Sequence, residues 1–180
     1  AHNGQVYVAF SGGKDSTLLL HRVRQMYPEV PAVFADTGLE WPEIRQFVAT
    51  FKNVEVVRPK QKFGEVLRQY GYPVVSKEIA MAVNRYRNTK SQHQRDLRLW
   101  GSINENTGRK QTAGVIPQRW HFLIDAPFKI SEQCCNVIKK SPFKTYEKAT
   151  GRKPYVGTMA VDSHIRKRSY LASGCNAFDK

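Results

Sequence analysis

Three short apolar runs, residues 6–10, 32–35 and 54–57, punctuate the first third of the chain, and each of the first two is followed by apolar positions at helical spacing. Strand and helix alternating at this interval build βαβ units, whose parallel strands require right-handed crossovers. The second helix is well marked. After Asp36-Thr37-Gly38, Pro42 sits at a first-turn position, and Ile44, Phe47, Val48 and Phe51 recur at i, i+3, i+4 and i+7, which predicts one buried face. The pattern is that of an α/β fold, a Rossmann-like parallel sheet with helices on both faces. Residues 63–70 and 77–87 also read as helices, parted by Gly71-Tyr72-Pro73. The pattern then fades. Residues 88–114 are polar and basic, with Leu97, Leu99 and Trp100 as their few apolar anchors, and read as a mobile loop or a partner-binding insertion. Residues 120–124 read as a strand, 131–138 as the start of a helix, 155–159 as a strand and 162–171 as a last helix. No repeat or low-complexity tract interrupts the chain, so the expectation is a single domain over residues 1–180 with a basic, mobile segment at 88–114.

Length and charge narrow the class. A chain of 180 residues can bury a real core, and no stretch reaches the roughly 18 apolar residues of a membrane span, so a soluble protein without a membrane partner is expected. Ala1 stands where Met would, and the opening residues show no basic-then-apolar signal segment and no sign of export. Three cysteines cannot all pair within the chain and lack the density of a disulfide scaffold, which points to a reducing cytoplasm. The net charge of +14 is unevenly placed. Residues 1–83 carry ten Lys or Arg against eight Asp or Glu, whereas residues 84–180 carry nineteen against seven. One basic stretch is Arg85, Arg87, Lys90, Arg95, Arg98, Arg109 and Lys110; the other runs from Lys139 and Lys140 through Lys144, Lys148, Arg152 and Lys153 to Arg166, Lys167 and Arg168. A solvated helix face accounts for either run alone; together they point to a polyanion, with nucleic acid (DNA or RNA) as the expected partner.

Candidate chemistry begins where the first strand meets its helix, in Ser11-Gly12-Gly13-Lys14-Asp15-Ser16-Thr17. Two glycines able to take positive φ let backbone N–H groups face an anion, and a helix starting near Asp15 adds its positive dipole end. Ser11, Ser16 and Thr17 supply hydroxyls, Lys14 a mobile cation, and Asp15 a carboxylate able to hold Mg²⁺ against phosphate oxygens. A pyrophosphate-sized group suits this loop. Adjacent glycines followed directly by lysine separate it from the longer GxxxxGK[ST] loop. It resembles instead the PP-loop, SGGxDS, of the adenine nucleotide α-hydrolases, among them ATP pyrophosphatases, tRNA thiolases and sulfonucleotide reductases. Ligands of parallel sheets sit at strand C-terminal ends, so Asp36 and Thr37 should share the loop's crevice and an adenine nucleotide, ATP or a close relative, should lie across both.

Cys134-Cys135, with Cys175 in Ser-Gly-Cys-Asn, forms a second constellation. Adjacent cysteines seldom pair with each other, because the geometry strains the peptide between them. Three thiolates can bind a [4Fe-4S] cluster and leave one iron open; zinc would recruit a fourth ligand, His164 or His121; buried unligated cysteine is the third option.

The order DTGLEWPE, GYPVVSKE, CCNVIKKSPF and GTMAVDSHIRKR resembles the phosphoadenosine phosphosulfate (PAPS) reductase family over most of the span from Val6 to Cys175. In cluster-bearing members a Cys-Cys pair precedes Arg-Lys and Pro-Leu, and Lys139, Pro142 and Phe143 stand at the matching lysine, proline and apolar positions. The resemblance thus implies cluster ligands at Cys134 and Cys135, and Cys175 is the third thiolate expected to complete the cluster. It also implies that Lys139, Gly157, Ser163 and Arg166 approach the substrate's anionic group. Two positions depart from the pattern: Ile138 and Met159 stand where assimilatory reductases tend to carry arginine. The reductases' Glu-Cys-Gly-Leu-His tail, with its attacking cysteine, is absent from these 180 residues. Sulfate is best held by forked guanidinium donors, so the implied activity shifts from reduction toward ATP-dependent, pyrophosphate-releasing sulfur transfer. Lys14 and Asp15 would be its catalytic residues, and a sulfur-donor protein a further partner. A PAPS or adenylyl-sulfate reductase is the alternative enzyme, and a non-catalytic nucleotide or nucleic-acid-binding regulator the alternative outside catalysis.

Overall fold

In chain order the elements are β1 (Val6–Ala9), α1 (Lys14–Met26), β2 (Ala32–Ala35), α2 (Pro42–Ala49), β3 (Val54–Val57), α3 (Phe63–Tyr70), α4 (Lys77–Asn88), α5 (Gln92–Trp100), β4 (Ser102–Ile103), β5 (Lys110–Gln111), a 3-10 helix Gln118–Ile124, a π-helical turn Asn136–Lys140, α6 (Ser141–Thr150) and β6 (Lys153–Val156). This computed structural model describes residues 4–159 together with Val161, Lys167, Arg168 and Leu171. The chain forms two units, one from Ala1–Val57 with Phe143–Lys180, the other Arg58–Pro142.

The first unit is the expected α/β sheet. Its four strands are parallel in the order β3-β2-β1-β6. Side chains alternate across a strand, and both faces here are apolar. Val6, Val8, Phe10, Ala32 and Phe34 pack with Leu20 and Val23 of α1 and Val48 of α2. Tyr7 and Val33 face the other way, against Tyr146 and Phe143 of α6. Helices therefore cover both faces. On the α6 side Tyr7 Oη donates to Glu147 Oε1 at 2.8 Å, and Tyr146 Oη donates to Glu55 Oε1 at 2.8 Å. Burial, followed by the neighbouring glutamate in each case, pushes both phenols up from their ordinary value. Along α2, Val48 is buried and Ile44 and Phe51 pack on the core, but Phe47 is exposed and touches Phe51 edge-on, so the predicted stripe is narrower than its spacing suggests.

The second unit is mostly helical. Its core joins Ala80, Ala82 and Val83 of α4 with Ile116, Leu123 and Ile130, beside a smaller group of Val66, Cys134 and Ile138. Gly71 ends α3 at φ +110°, where a Cβ would lie 2.6 Å from the Lys129 backbone, so a bare backbone is required. Residues 88–114, read as a loop or insertion, contain an ordered helix and hairpin. Ser91 caps α5 by accepting from Gln94 N–H, and β4 pairs antiparallel with β5. Residues 120–124 are not a strand. They lie in the 3-10 helix that follows Pro117, where Leu123 is buried and Phe122 exposed. The strand read at 155–159 starts earlier, as β6, and the helix start at 131–138 takes the form of the π-helical turn leading into α6. The last helix, read over 162–171, lies mostly outside the described residues.

The basic stretch is partly structural. Arg87 Nε donates to Ile124 O, Nη1 to Phe128 O, and Nη2 to Leu123 O and Ala126 O, all at 2.6–2.8 Å. One guanidinium thus gathers the carbonyls at the end of the 3-10 helix. Arg87→Gln is expected to destabilise the chain by about 2–4 kcal/mol, since several charge-assisted bonds are lost and carbonyls are left unpaired. Arg85→Gln, at an exposed arginine, should leave the urea unfolding curve in place; equal midpoints for the two variants would refute the clamp.

Candidate functional site

Strand order creates the site. β1 has β2 on one side and β6 on the other, so the chain's direction across the sheet reverses at β1, and ligands of open parallel sheets bind outside the carboxyl ends at such a point. Three segments converge there: residues 10–13 after β1, 36–41 after β2, and Gly157 after β6.

Gly12 has φ +74°, and a Cβ on it would meet Ile44 Cγ2 at 3.0 Å and Val48 Cγ2 at 3.1 Å. Gly13, in contrast to the expectation of positive φ at both glycines, is extended at φ −79° and serves as the N-cap of α1. Gly12→Ala should therefore cost about 2 kcal/mol from left-handed strain plus overpacking, measured by urea unfolding; an unshifted midpoint would contradict the strain.

Gly13 brings no side chain to cap α1, so the first-turn amides have no side-chain partner at the N-cap. Serine, threonine or aspartate there would satisfy one of them; glycine leaves them aimed at whatever lies before the helix. The hydroxyls bond within the loop. Ser16 is buried; its Oγ donates to Gly13 O at 2.9 Å and accepts from Ser11 N–H at 3.2 Å, with Ser11 Oγ at 3.0 Å. Thr17 Oγ1 also donates to Gly13 O, at 2.9 Å. Ser16 and Thr17 thus brace the loop, which leaves the first-turn amides of α1 and Lys14 as its candidate anion donors. Lys14 Nζ lies 2.7 Å from Asp15 Oδ1, with the two side chains 83% and 42% exposed. Behind them, a Cβ on Gly157 would stand 3.0 Å from Asp15 O, so the chain after β6 packs directly on the first turn of α1.

At the end of β2, Asp36 N–H donates to Val57 O, and its Oδ1 accepts from Gly38 N–H and pairs with Arg45 at 3.0 Å. Thr37 is buried; its N–H and hydroxyl donate to the two carboxylate oxygens of Glu40, at 2.9 and 2.7 Å. Sequence reasoning missed Glu40 and Arg45. Thr-x-x-Glu, the capping-box spacing, was the available signal for Glu40; a single arginine inside a helix gives none for Arg45.

In the second unit Cys134 is buried with Val66 and Ile138, and Cys135 is half-buried. Burial first, and then the adjacent Cys135 thiol, pushes the Cys134 thiol up from its ordinary value. The two soft donors stand on consecutive residues, and thiolates are the donor type that binds iron–sulfur centres. They open a π-helical turn, a geometry that recurs at functional sites, and Lys139 is exposed on it while Ile138 is buried. Cys175, Ser163, Arg166 and His164 lie outside the described residues. Among the described residues no three His, Cys, Asp or Glu side chains gather to hold a metal ion, and His121 donates its Nε2–H to Ile116 O at 2.9 Å. No described helix is long and apolar enough to cross a membrane.

Against models of known families, the chain matches the phosphoadenosine phosphosulfate reductase domain over residues 5–173. A comparison with curated proteins finds no match.

Proposed function

The chain belongs to the phosphoadenosine phosphosulfate reductase domain family, whose theme is nucleotide-linked sulfur chemistry, and from that premise we propose that it is an ATP-dependent, pyrophosphate-releasing sulfurtransferase. The observation that carries this reading is the uncapped N-terminus of α1 behind Gly12 and Gly13, at the sheet's switch point and backed by Gly157. Amides there hold a pyrophosphate without the reorganisation that water would need.

In the proposed reaction an acceptor oxygen attacks the α-phosphorus of ATP and the bond to the β-phosphate oxygen breaks. Pyrophosphate leaves into the loop amides and Lys14. Asp15 would hold Mg²⁺, which neutralises the leaving oxygens. A sulfide-level sulfur, brought by a donor protein, then displaces AMP from the acceptor carbon, so oxygen leaves with AMP and sulfur takes its place. Cys134, Cys135 and Cys175 would hold a [4Fe-4S] group that supplies, when bound, an iron position for that sulfur. Lys139, Ser163, Arg166 and the close-packed Gly157 would border the acceptor, and a nucleic acid is the acceptor class that the basic chain favours.

Ile138 and Met159 support transfer over reduction. Ile138 is buried in an apolar cluster and Met159 carries no charge, so neither offers the guanidinium that a sulfate-bearing nucleotide wants. Calorimetry with ATP, and assays of pyrophosphate and sulfite release, separate the readings. ATP binding with acceptor-dependent pyrophosphate release is expected. Sulfite from PAPS or adenylyl sulfate without pyrophosphate from ATP would establish the reductase instead, and nucleotide binding with no turnover the regulator.

A further inference from the structure

Charge and exposed aromatic rings coincide in the second unit. Arg58–Pro142 holds sixteen Lys or Arg against six Asp or Glu. Several of these charges are spent internally: Arg87 on four carbonyls, Arg95 on Thr89 O, Arg98 Nη1 on Gly114 O. Arg85 is exposed, and its guanidinium makes no hydrogen bond or ion pair among the described residues. It borders a cavity of about 300 Å³ between the end of α4 and α5, lined also by Asn88, Thr89, Gln94 and Arg98, with no carboxylate in the lining. Arg98 Nε is buried without a partner, so Arg98 adds its positive charge to the lining. Two guanidiniums on an acid-free hollow make a site for a phosphate-sized anion.

The aromatic surface lies close by. Ile116 links the two, its N–H donating to Arg98 O at 2.7 Å while its carbonyl accepts from His121. His121 meets Trp100 edge-on at 6.5 Å, Trp120 contacts Phe122 at 5.9 Å, and the Arg119 guanidinium stands 5.6 Å over Trp120. Trp100 is 63% exposed and Phe122 64%. Rings interleaved with arginine suit unpaired bases, whose faces stack on any aromatic. Duplex DNA or RNA hides those faces.

We infer that the second unit binds a single-stranded nucleic acid, with a backbone phosphate in the Arg85–Arg98 hollow and bases stacked on Trp100 and Phe122. This deepens the proposed function by naming the acceptor's form, and it rests on that reading only for the chemistry that follows binding. The tight set of side chains that would be altered is exposed, so the fold should survive each change.

The test uses the full chain with a mixed-sequence single-stranded 12-mer and its duplex, followed by anisotropy and tryptophan fluorescence across a salt series. The single strand should bind and quench, and the duplex should bind more weakly. Arg85→Gln should lower affinity and reduce the salt slope by about one phosphate contact. Trp100→Ala and Phe122→Ala should each cost on the order of tenfold with the salt slope unchanged, and Trp100→Phe should restore binding with less quenching. Unaltered unfolding curves make these losses interpretable. Equal affinity for duplex and single strand, or binding untouched by all three variants, overturns the inference, as does the absence of binding at low salt. ATP binding measured alongside separates the two readings, because loss of nucleotide binding would strike the sulfurtransferase proposal while leaving oligonucleotide binding as measured.

Discussion

Asp15→Asn is expected to reduce Mg²⁺-dependent pyrophosphate release by about two orders of magnitude or more, with the folded chain intact. The carboxylate sits in the first turn of α1, where it pairs with Lys14 at 2.7 Å and is 42% exposed. A pyrophosphate seated on the same amides would face that negative charge, and the arrangement is productive only with cations between them. In the proposed mechanism Lys14 would be one such cation and Mg²⁺ the other. Asparagine keeps the size and helix compatibility of the side chain but is a far weaker magnesium ligand. Its effect on stability should stay under about 1 kcal/mol, since a partly exposed charge near a helix N-terminus contributes little more than that. ATP binding without Mg²⁺ should persist or tighten. Full pyrophosphate release by the variant would remove Asp15 from the mechanism, and an unfolded variant would show instead that the Lys14–Asp15 pair is structural.

The first unit was legible because its signals are local. Val6 to Phe10 is apolar on both faces, as a buried parallel strand must be, and the strand runs directly into two glycines and a helix, so the strand–loop–helix that carries the candidate site followed from the residues in sequence. What stayed hidden depends on distant partners. Ser16 and Thr17 look like phosphate donors in a one-dimensional reading, yet both hydroxyls turn back to Gly13 O. Arg87 looks like one more charge in a basic run, and only folding brings it to carbonyls near residue 125. α5 buries no residue fully, which erased the helical stripe that would have marked it. In the 3-10 helix, Trp120 and Leu123 repeat every third position, and a short apolar run of that kind is easily taken for a strand.

Single serine replacements of Cys134, Cys135 and Cys175 are each expected to bleach the brown colour of anaerobically purified protein and to stop sulfur transfer, while ATP binding persists. The two readouts separate because the phosphate loop is built from β1 and α1, whereas Cys134 and Cys135 belong to Arg58–Pro142 and pack with Val66 and Ile138. Burial matters to the chemistry. A thiol held among apolar side chains resists ionisation, so Cys134 unbound is a poor nucleophile at neutral pH, and a bound iron centre supplies the positive charge that makes its thiolate form favourable. Serine fills nearly the same volume but its oxygen is a hard, weakly acidic ligand, so iron affinity falls while packing changes little. Iron and acid-labile sulfide analysis of the wild-type chain should give a cluster's worth of each, and every serine variant should lose most of both. Iron-free protein with three alkylatable thiols and undiminished transfer would end the cluster reading. Loss of colour at Cys134 and Cys135 with Cys175→Ser unchanged would instead leave two ligands on consecutive residues and require a different third.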